Sequence, residues 1–427
     1  MTSAETSPPI QPDTRGKQRQ PWFYIPTAYF AEGLPYIIVN AASVIMYKKL
    51  GIPNSLIGLT SFLYLPWVLK MLWGPIVDLY GTKRKWIVAT QLAMAVVFGF
   101  AAFSVQMPIF FTLSLVAFTI MAFISATHDI AVDGFYMLAL PEDKQAFFVG
   151  IRSTFYRLAM IFGSGVLVII AGNIETSTGN IPLSWTVVLA IAGAIFLVLF
   201  LFHNFYLPYP ALDGKREKKE NGIPFIKVFK AYFEQKRIFA IIAFILLYRF
   251  GEAMLVKMAS PFLLDDAAAG GLGLSTQTVG SVYGTFGVMS LVVGGICGGM
   301  LISKFGLRKC IWPMAIALNA PDLVYVYMAA VKPELPLAYL LVCVEQFGYG
   351  VGFTAFMVYL MYTSKGEYKT SHFAISTGIM ALGMMVPGLV SGYLEEALGY
   401  FNFFVVVCLA TLPGMAAIFF IPMEESK

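Results

Sequence analysis

The sequence predicts an all-α integral membrane protein with twelve transmembrane helices in two pseudo-symmetric halves of six. The chain of 427 residues is 58% hydrophobic and only 12% charged, whereas soluble domains carry about 25% charged residues. Twelve stretches are apolar over about the 20 residues that a helix needs to cross a bilayer. One long polar segment, 207–236, separates six of these stretches from the other six.

The twelve predicted spans cover residues 23–46, 55–78, 86–106, 108–139, 144–172, 183–206, 237–264, 276–303, 309–331, 335–364, 370–395 and 400–422. The first residues are polar, rich in proline and without the apolar core of a signal peptide, which predicts a disordered tail. The predicted domains are a cytoplasmic tail (1–22), an N-terminal bundle (23–206), a basic cytoplasmic linker (207–236), a C-terminal bundle (237–422) and a second cytoplasmic tail (423–427).

The distribution of basic residues predicts the orientation. The sequence has 29 Lys and Arg, of which five lie inside predicted spans and three (Lys48, Lys49, Lys332) lie in the loops opposite the N-terminus. The other 21 (29 − 5 − 3) lie in the tails and in the loops on the N-terminal side. Since basic loops stay inside, both termini are predicted to be cytoplasmic. The net charge of +5 follows from this bias and does not require a nucleic-acid partner.

The residues that would carry enzyme chemistry are scarce. The chain has three histidines and four cysteines, and the cysteines lie in or beside apolar segments without the spacing of metal ligands. No Walker loop, H-E-x-x-H motif or credible nucleophile triad is present. The sequence therefore predicts neither an enzyme nor a primary pump, and no cofactor or metal.

Charged side chains inside predicted spans are the most informative feature. A charge in hydrocarbon costs roughly 3 kcal/mol on insertion scales, so these groups must face one another or water. The economical explanation is a polar cavity, which indicates a transport path. The basic members are Lys70, Arg152, Arg157, Arg249 and Lys257, and the acidic members are Glu32, Asp129, Asp133, Glu252 and Glu345.

Three of the acids are candidates for proton coupling. Glu32 precedes Gly33 and Pro35, which loosen the helix, and Glu345 precedes a run of glycines in span 10. Asp129 lies at the depth of Lys70, its expected ionic partner. A structural ion pair is the alternative in each N-terminal case, between Lys70 and Asp129, or between Glu32 and Arg249 or Arg157. Asp322, which follows Pro321 in span 9, is expected to be a packed, hydrogen-bonded or protonated group.

The remaining charges suggest roles in substrate binding and gating. Arg249 and Glu252 are three residues apart on span 7 and face one direction; Arg249 would bind a carboxylate, unless it only pairs with Glu252. Arg157 is the deeper arginine of span 5, and Lys257 is expected at the outer mouth. Asp133 is expected to bind the basic segment 83–85 as a latch, and Arg152 to pair near the cytoplasmic end. The further substrate-binding candidates are Lys70 and four aromatic residues, Tyr36, Trp73, Tyr136 and Tyr359.

A repeated motif gives the first family resemblance. Segment 74–85 has Gly74, Asp78, Gly81 and Arg84 at fixed spacing, and the glycines recur as Gly299 and Gly306 after a shift of 225 residues. This pattern resembles the loop signature of the major facilitator superfamily. The resemblance implies two six-helix halves that rock around a central site, with segment 78–85, Asp133 and Arg152 as gating elements.

Four segments resemble one branch of that superfamily, the AmpG-type muropeptide permeases. They are Phe30–Pro35, Leu65–Pro75, Ala126–Asp133 and Tyr248–Ala253. The resemblance implies a monomeric secondary transporter of a bacterial inner membrane that imports anhydro-muropeptides with protons. Two alternatives remain open: another anion such as a siderophore or acetyl-CoA, or a membrane sensor that does not transport.

Overall fold

The computed structural model describes residues 19–210, 213, 225–364 and 369–423, whose regular structure is entirely helical. Eleven helices in these ranges are long and apolar enough to cross a membrane. They are Pro21–Lys49, Asn54–Gly74, Lys83–Ser104, Phe110–Ala139, Phe147–Thr178, Ile181–Tyr206, Ile238–Leu264, Thr276–Phe305, Leu307–Val331, Leu335–Thr363 and Ser371–Ala417.

The last of these helices is two spans. Its backbone leaves the helical region at Gly399, with φ 72° and ψ 160°, a conformation that glycine adopts without a steric penalty. Its 47 residues are also far more than one crossing needs. We therefore number twelve spans in chain order, with span 11 ending before Gly399 and span 12 beginning there. The prediction of twelve spans is confirmed.

Local chemistry explains how the observed boundaries differ from the predicted ones. Span 1 begins at Pro21, two residues early, because proline is well suited to the first helical position. The linker is not polar throughout, since Phe225–Phe233 is a helix that packs Val228 and Tyr232 against the C-terminal spans. Most of the linker, and residues 1–18 of the predicted tail, lie outside the described residues, so the predicted domain boundaries stay a prediction.

The predicted glycine repeat has a structural counterpart. Gly81, after span 2, has φ 73°, and Gly306, after span 8, has φ 80°. Both residues end a helix in a region of backbone space that favours glycine. The two positions therefore make the same kind of turn in the two halves.

Helix irregularities cluster near the middle of several spans. Span 7 is interrupted at Tyr248 and Arg249, between the helices Ile238–Leu247 and Phe250–Leu264. Irregular backbone at membrane depth is tolerated where it lines a protein-enclosed site, and π-segments are frequent at functional sites. The spans also contain three π-helices, Ile38–Ala42, Phe162–Val166 and Gly280–Gly287, and two 3₁₀ helices, Thr60–Tyr64 and Ala320–Asp322.

The two halves meet at one end of the bundle. We call the end with both termini the terminal end and the opposite end the far end. In the described part of the chain, the hydrogen bonds and ion pairs between the halves involve the far-end portions of spans 1, 2 and 5. Gly392 of span 11 also lies directly against the backbone of Asn54, where a Cβ would clash. The interior is therefore closed at the far end.

Candidate functional site

Arg249 occupies the break in span 7. Its side chain is 6% exposed, donates a hydrogen bond to the Tyr349 hydroxyl and lies over the rings of Tyr349 and Phe353, 5.0 and 4.7 Å from their centroids. Its Nε has no hydrogen-bond partner. Among the described residues, no carboxylate forms an ion pair with it. The alternative of an Arg249–Glu252 ion pair is therefore wrong, and the guanidinium keeps donors for another anion.

Tyrosines from both halves surround this arginine. The rings of Tyr36 and Tyr64 lie 6.3 Å apart, and Tyr64 interacts electrostatically with Tyr349 and Arg249. Tyr156 interacts electrostatically with Tyr36 and Tyr64, and Tyr283 interacts electrostatically with Tyr64 and Tyr349. We call the set the central site: Arg249 with Tyr36, Tyr64, Tyr156, Tyr283 and Tyr349, contributed by spans 7, 1, 2, 5, 8 and 10.

Arg157 approaches the central site from the other half. It is partly buried, its guanidinium passes beside Gly295 of span 8, and it interacts electrostatically with Tyr349. It forms no ion pair within the described ranges, so the alternative in which Glu32 pairs with Arg157 or Arg249 is wrong. Two arginines from different halves therefore interact with one tyrosine, and neither of them forms an ion pair among the described residues.

The sequence predicted that Lys257 lies at the outer mouth, and this prediction is wrong for the present structure. It is 5% exposed, and its Nζ donates to Thr60 Oγ1 of span 2 at 2.7 Å. Spans 2 and 7 are in contact at this level because the far end is closed, and the ammonium group is therefore covered. Lys257 is a buried cation that joins the two halves through a hydroxyl group.

Lys70, Asp129 and Trp67 connect the central site to the acids of the N-terminal half. Lys70 Nζ lies 3.8 Å from Asp129 Oδ2, and Trp67 Nε1 donates to the same oxygen at 3.1 Å. The Trp67 ring meets that of Tyr36 edge to face, with centroids 5.1 Å apart. The sequence did not predict a role for Trp67, although this residue lies within the segment Leu65–Pro75. It contacts both the central site and a candidate proton carrier.

Glu32 interacts with Lys70 and Asp129. Its Oε2 is buried without a hydrogen-bond partner, and the carboxyl group interacts electrostatically with Asp129, Asp133 and Lys70. We call Glu32, Lys70, Asp129 and Asp133 the Lys70 cluster. Its three acids face two cations, Lys70 and the Arg152 that pairs with Asp133, so the cluster has one carboxyl group more than its ion pairs require.

Asp133 does not bind the basic segment 83–85, so the predicted latch is wrong in this structure. Its Oδ1 accepts from the Tyr29 hydroxyl at 2.8 Å and from Arg152 Nη1 at 3.3 Å. Arg152 also lies over the rings of Tyr29 and Tyr136. Span 5 therefore supplies the cation that reaches Asp133. The side chains of Asp133 and Arg152 are 51% and 35% exposed, which indicates an interior open towards the terminal end.

The gating segment is held by the residues that follow span 6. Asp213 of the linker accepts from the backbone N–H groups of Lys83 and Arg84 at 2.7 and 3.1 Å, as a carboxylate at a helix N-terminus does. Arg84 donates to the carbonyl oxygens of Asn204 and Leu207. Gly74 has open space beside its Cα, and the side chain of Asp78 lies outside the described residues. The linker is thus attached to the predicted gate.

Three of the predicted aromatic residues lie elsewhere. Trp73 donates to Thr127 Oγ1 at 3.2 Å and packs on Phe123. Tyr136 packs beside Arg152, and Tyr359 is fully buried against Phe244.

The two acids predicted as site residues in spans 7 and 10 are buried. Glu252 and Glu345 are both 0% exposed, and Glu345 accepts from Gln346 Nε2 at 3.1–3.2 Å. Glu252 therefore does not lie open to substrate in this conformation. In the described ranges, no group of three or more His, Cys, Asp or Glu residues is placed to hold a metal ion.

The fold and the site together define a multi-pass membrane transporter. Twelve apolar spans enclose a cationic, tyrosine-lined centre between two halves that are closed at one end. The sequence profile of the Major Facilitator Superfamily matches residues 27–256, and the chain belongs to that superfamily. It is a transporter and not an enzyme, as the sequence predicted.

The chain is similar to individual relatives and to a solved structure over most of its length. The chain is 26% identical over 418 residues to an uncharacterized protein of Haemophilus influenzae, covering 93% of this chain and 94% of the relative. It is 25% identical over 394 residues to the anhydromuropeptide permease of Escherichia coli K12, covering 90% and 76%. The crystal structure of the nucleoside transporter NupG matches with TM-score 0.69 and 15% identity, covering 94% and 98%, and shows the shared fold.

Proposed function

We propose that this transporter imports an anionic solute that contains sugar or peptide, with an anhydro-muropeptide as the leading substrate, and that protons drive the uptake. The observation that carries the proposal is Arg249. It is a buried arginine at a helix break, with a free Nε and no carboxylate partner among the described residues. Discontinuous helices provide the binding groups in many secondary transporters.

The chemistry of the central site fits such a solute. An arginine binds a carboxylate bidentately, and muropeptides carry lactyl and peptide carboxylates. The rings of Tyr36, Tyr64 and Tyr349 supply apolar faces for a sugar and hydroxyl groups for its polar edge. The identity of 25% to an anhydromuropeptide permease over most of the chain also supports this class of substrate.

Proton coupling is assigned to Glu32 and Asp129, with Glu345 as a third candidate. Glu32 and Asp129 each have a buried carboxyl oxygen without a partner, which a proton would satisfy. Trp67 contacts both Asp129 and Tyr36. A change in the charge of Asp129 would move Trp67, and this motion would alter the wall of the central site.

Alternating access would exchange the closed far end for a closed terminal end. The far-end contacts between the halves would separate, and segment 78–85 with the Asp133–Arg152 pair would approach the other half. We assign the terminal end to the cytoplasm and the membrane to a bacterial inner membrane, because basic residues concentrate in the terminal-end loops. In that orientation the structure is open inwards.

The test is uptake into proteoliposomes of labelled N-acetylglucosaminyl-anhydromuramic acid, with and without an inward proton gradient. We expect accumulation that requires the gradient. Arg249→Gln should abolish uptake, because the substrate carboxylate loses its partner. Lys236→Gln is the matched control, since it removes an exposed cation outside the spans and should leave uptake unchanged.

Two results would contradict the proposal. Folded wild-type protein that does not take up the disaccharide would exclude this cargo, and a siderophore and acetyl-CoA would be tested next. Uptake that does not respond to the proton gradient, or that survives Arg249→Gln, would exclude the coupling or the binding role.

A further inference from the structure

Three acids from three different spans lie together inside the C-terminal half. Glu252 of span 7, Asp322 of span 9 and Glu345 of span 10 are each 0% exposed. The carboxyl groups of Glu252 and Asp322 lie within hydrogen-bonding reach of each other, and both interact electrostatically with Glu345. We call these residues the acid triad.

The triad has few donors for its oxygen atoms. Neither carboxylate oxygen of Glu252 and neither of Asp322 has a hydrogen-bond donor in the described residues. Gln346 is the donor to Glu345. Since Glu252 and Asp322 face one another without a donor between them, a proton on one of them is the group that would complete the contact.

A second observation points to the same missing ligand. The hydroxyl group of Tyr325, one turn after Asp322, is 0% exposed and has no hydrogen-bond partner. It lies next to Glu345 and interacts electrostatically with all three acids. A buried hydroxyl group without a partner costs roughly 1–3 kcal/mol. An ionised Glu345 only accepts from this hydroxyl group, whereas a protonated Glu345 also donates to it.

Electrostatics exclude a fully ionised triad. Two carboxylates that share a buried site do not both ionise, because the second charge is neither solvated nor compensated. The titratable groups that interact with the triad are Arg249 on span 7, Tyr283 on span 8, Tyr325 on span 9, Tyr349 on span 10 and Cys408 on span 12. Within the described part of the chain, Arg249 is the one cation among these groups, and it donates a hydrogen bond to Tyr349.

We propose that the acid triad is a second proton-binding site, distinct from the Lys70 cluster, and that Arg249 links its proton occupancy to the anion in the central site. While Arg249 is free, its charge favours ionised Glu252. A bound substrate carboxylate neutralises Arg249 and thereby favours a proton on Glu252. Anion and proton therefore bind cooperatively, and by linkage each raises the affinity for the other. This second step rests on the proposed function, whereas protonation of the triad does not.

The experiment is infrared titration of the purified transporter without substrate, in which a protonated carboxyl group gives a carbonyl band that shifts in D₂O. We expect a band in the wild type at neutral pH that loses intensity in Glu252→Gln, Asp322→Asn and Glu345→Gln. Glu334→Gln, which replaces an exposed acid at the start of span 10, is the matched control and should leave the band unchanged.

Arg249→Gln gives a second test with the opposite sign. At the pH where the wild-type band has half its maximum intensity, loss of the Arg249 charge should increase the band. A structural role for the triad would not produce this increase. Sodium chloride and choline chloride should give the same spectra, since the proposed ligand is the proton.

Three results would overturn the proposal. They are the absence of a protonated carboxyl band at neutral pH, a band whose intensity is unchanged in all three triad variants, and a band that disappears when sodium replaces choline. Because substrate is absent, a failure here is independent of the muropeptide transport experiment. Conversely, failure of transport with an intact infrared result would exclude the cargo and leave the proton site standing.

Discussion

The side-chain amide of Asn54 in span 2 donates a 2.6 Å hydrogen bond to Glu395 Oε2 in span 11. The same nitrogen lies 2.9 Å from the Tyr400 hydroxyl, and Lys48 donates to Asn54 Oδ1 at 2.8 Å. Tyr400 and Lys48 also both contact Asp265, at 2.7 and 2.6 Å. One buried amide thus joins the two halves at the far end within a charged network.

Asn54→Ala should favour opening of the far end. Hydrogen bonds to charged groups contribute about 1.5–3 kcal/mol, so we expect the equilibrium between closed and open far ends to shift about tenfold or more. The measurement is the distance between spin labels at Ser177→Cys and Ala268→Cys, in a chain without the four native cysteines. The longer-distance population should increase.

Asn402→Ala is the matched control for that measurement. Asn402 is exposed on span 12, and its hydrogen bond among the described residues goes to the carbonyl oxygen of Leu398, four residues earlier. The distribution of spin-label distances in the Asn402→Ala variant should equal that of the parent chain. Equal distributions for Asn54→Ala and the parent would show that the far-end network does not control the closed state.

Lys257→Met should stabilise the protein and impair transport. Lys257 is buried, and Thr60 is its described hydrogen-bond partner, so its ammonium group is desolvated without a carboxylate in return. Replacement of a buried charge by an apolar side chain of similar length is often stabilising. We expect a rise in melting temperature of roughly 2 °C or more, together with reduced uptake. Lys236→Met should change neither quantity, and a lower melting temperature for Lys257→Met would contradict this interpretation.

Asp129→Asn should separate binding from coupling. The amide keeps an acceptor for Trp67 but cannot ionise, so proton-driven accumulation should be lost. Exchange of labelled for unlabelled substrate across the membrane requires no net proton movement and should persist. Accumulation at the wild-type level would remove Asp129 from the coupling path. Glu334→Gln is the control with a matched loss of one exposed acid.

The sequence predicted the architecture well because a bilayer constrains it strongly. Helix length follows from membrane thickness, and a lipid-facing helix must be apolar over that length. The repeated glycines Gly81 and Gly306 also mark equivalent turns in the two halves, because a backbone with positive φ strongly favours glycine. The helix Phe225–Phe233 was missed because its apolar face is shorter than a span and lies within a charged linker.

The central site was only partly predictable. Arg249, Arg157 and Tyr36 stood out as charges or as an aromatic residue near a loosened helix. Tyr64, Tyr156, Tyr283 and Tyr349 did not, because the direction that a side chain faces depends on helix packing. The π-segments Phe162–Val166 and Gly280–Gly287 further change the helical phase along spans 5 and 8. Tyr349 alone had a local signal, since it lies between Gly348 and Gly350.

The ion-pair partner of Asp133 was not predictable from the depth of the charged residues in the membrane. Asp133 and segment 83–85 were both assigned to the cytoplasmic side. In the structure, however, Asp133 pairs with Arg152 of span 5, and the start of span 3 is bound by Asp213 of the linker. Sequence position gives the depth of a charge in the membrane. It does not give the neighbouring helix, which sets the partner.

The most direct test of the central claim is a binding comparison with one ligand pair. N-acetylglucosaminyl-anhydromuramic acid and its neutral methyl ester differ in the carboxylate assigned to Arg249. Calorimetry on purified protein should show the acid binding to the wild type at least about tenfold more tightly than the ester, since a charge-assisted hydrogen bond contributes about 1.5–3 kcal/mol. Arg249→Gln should bind both equally, and Lys236→Gln should behave as the wild type. Equal affinities for acid and ester in the wild type would contradict the assignment of Arg249 as the anion-binding residue.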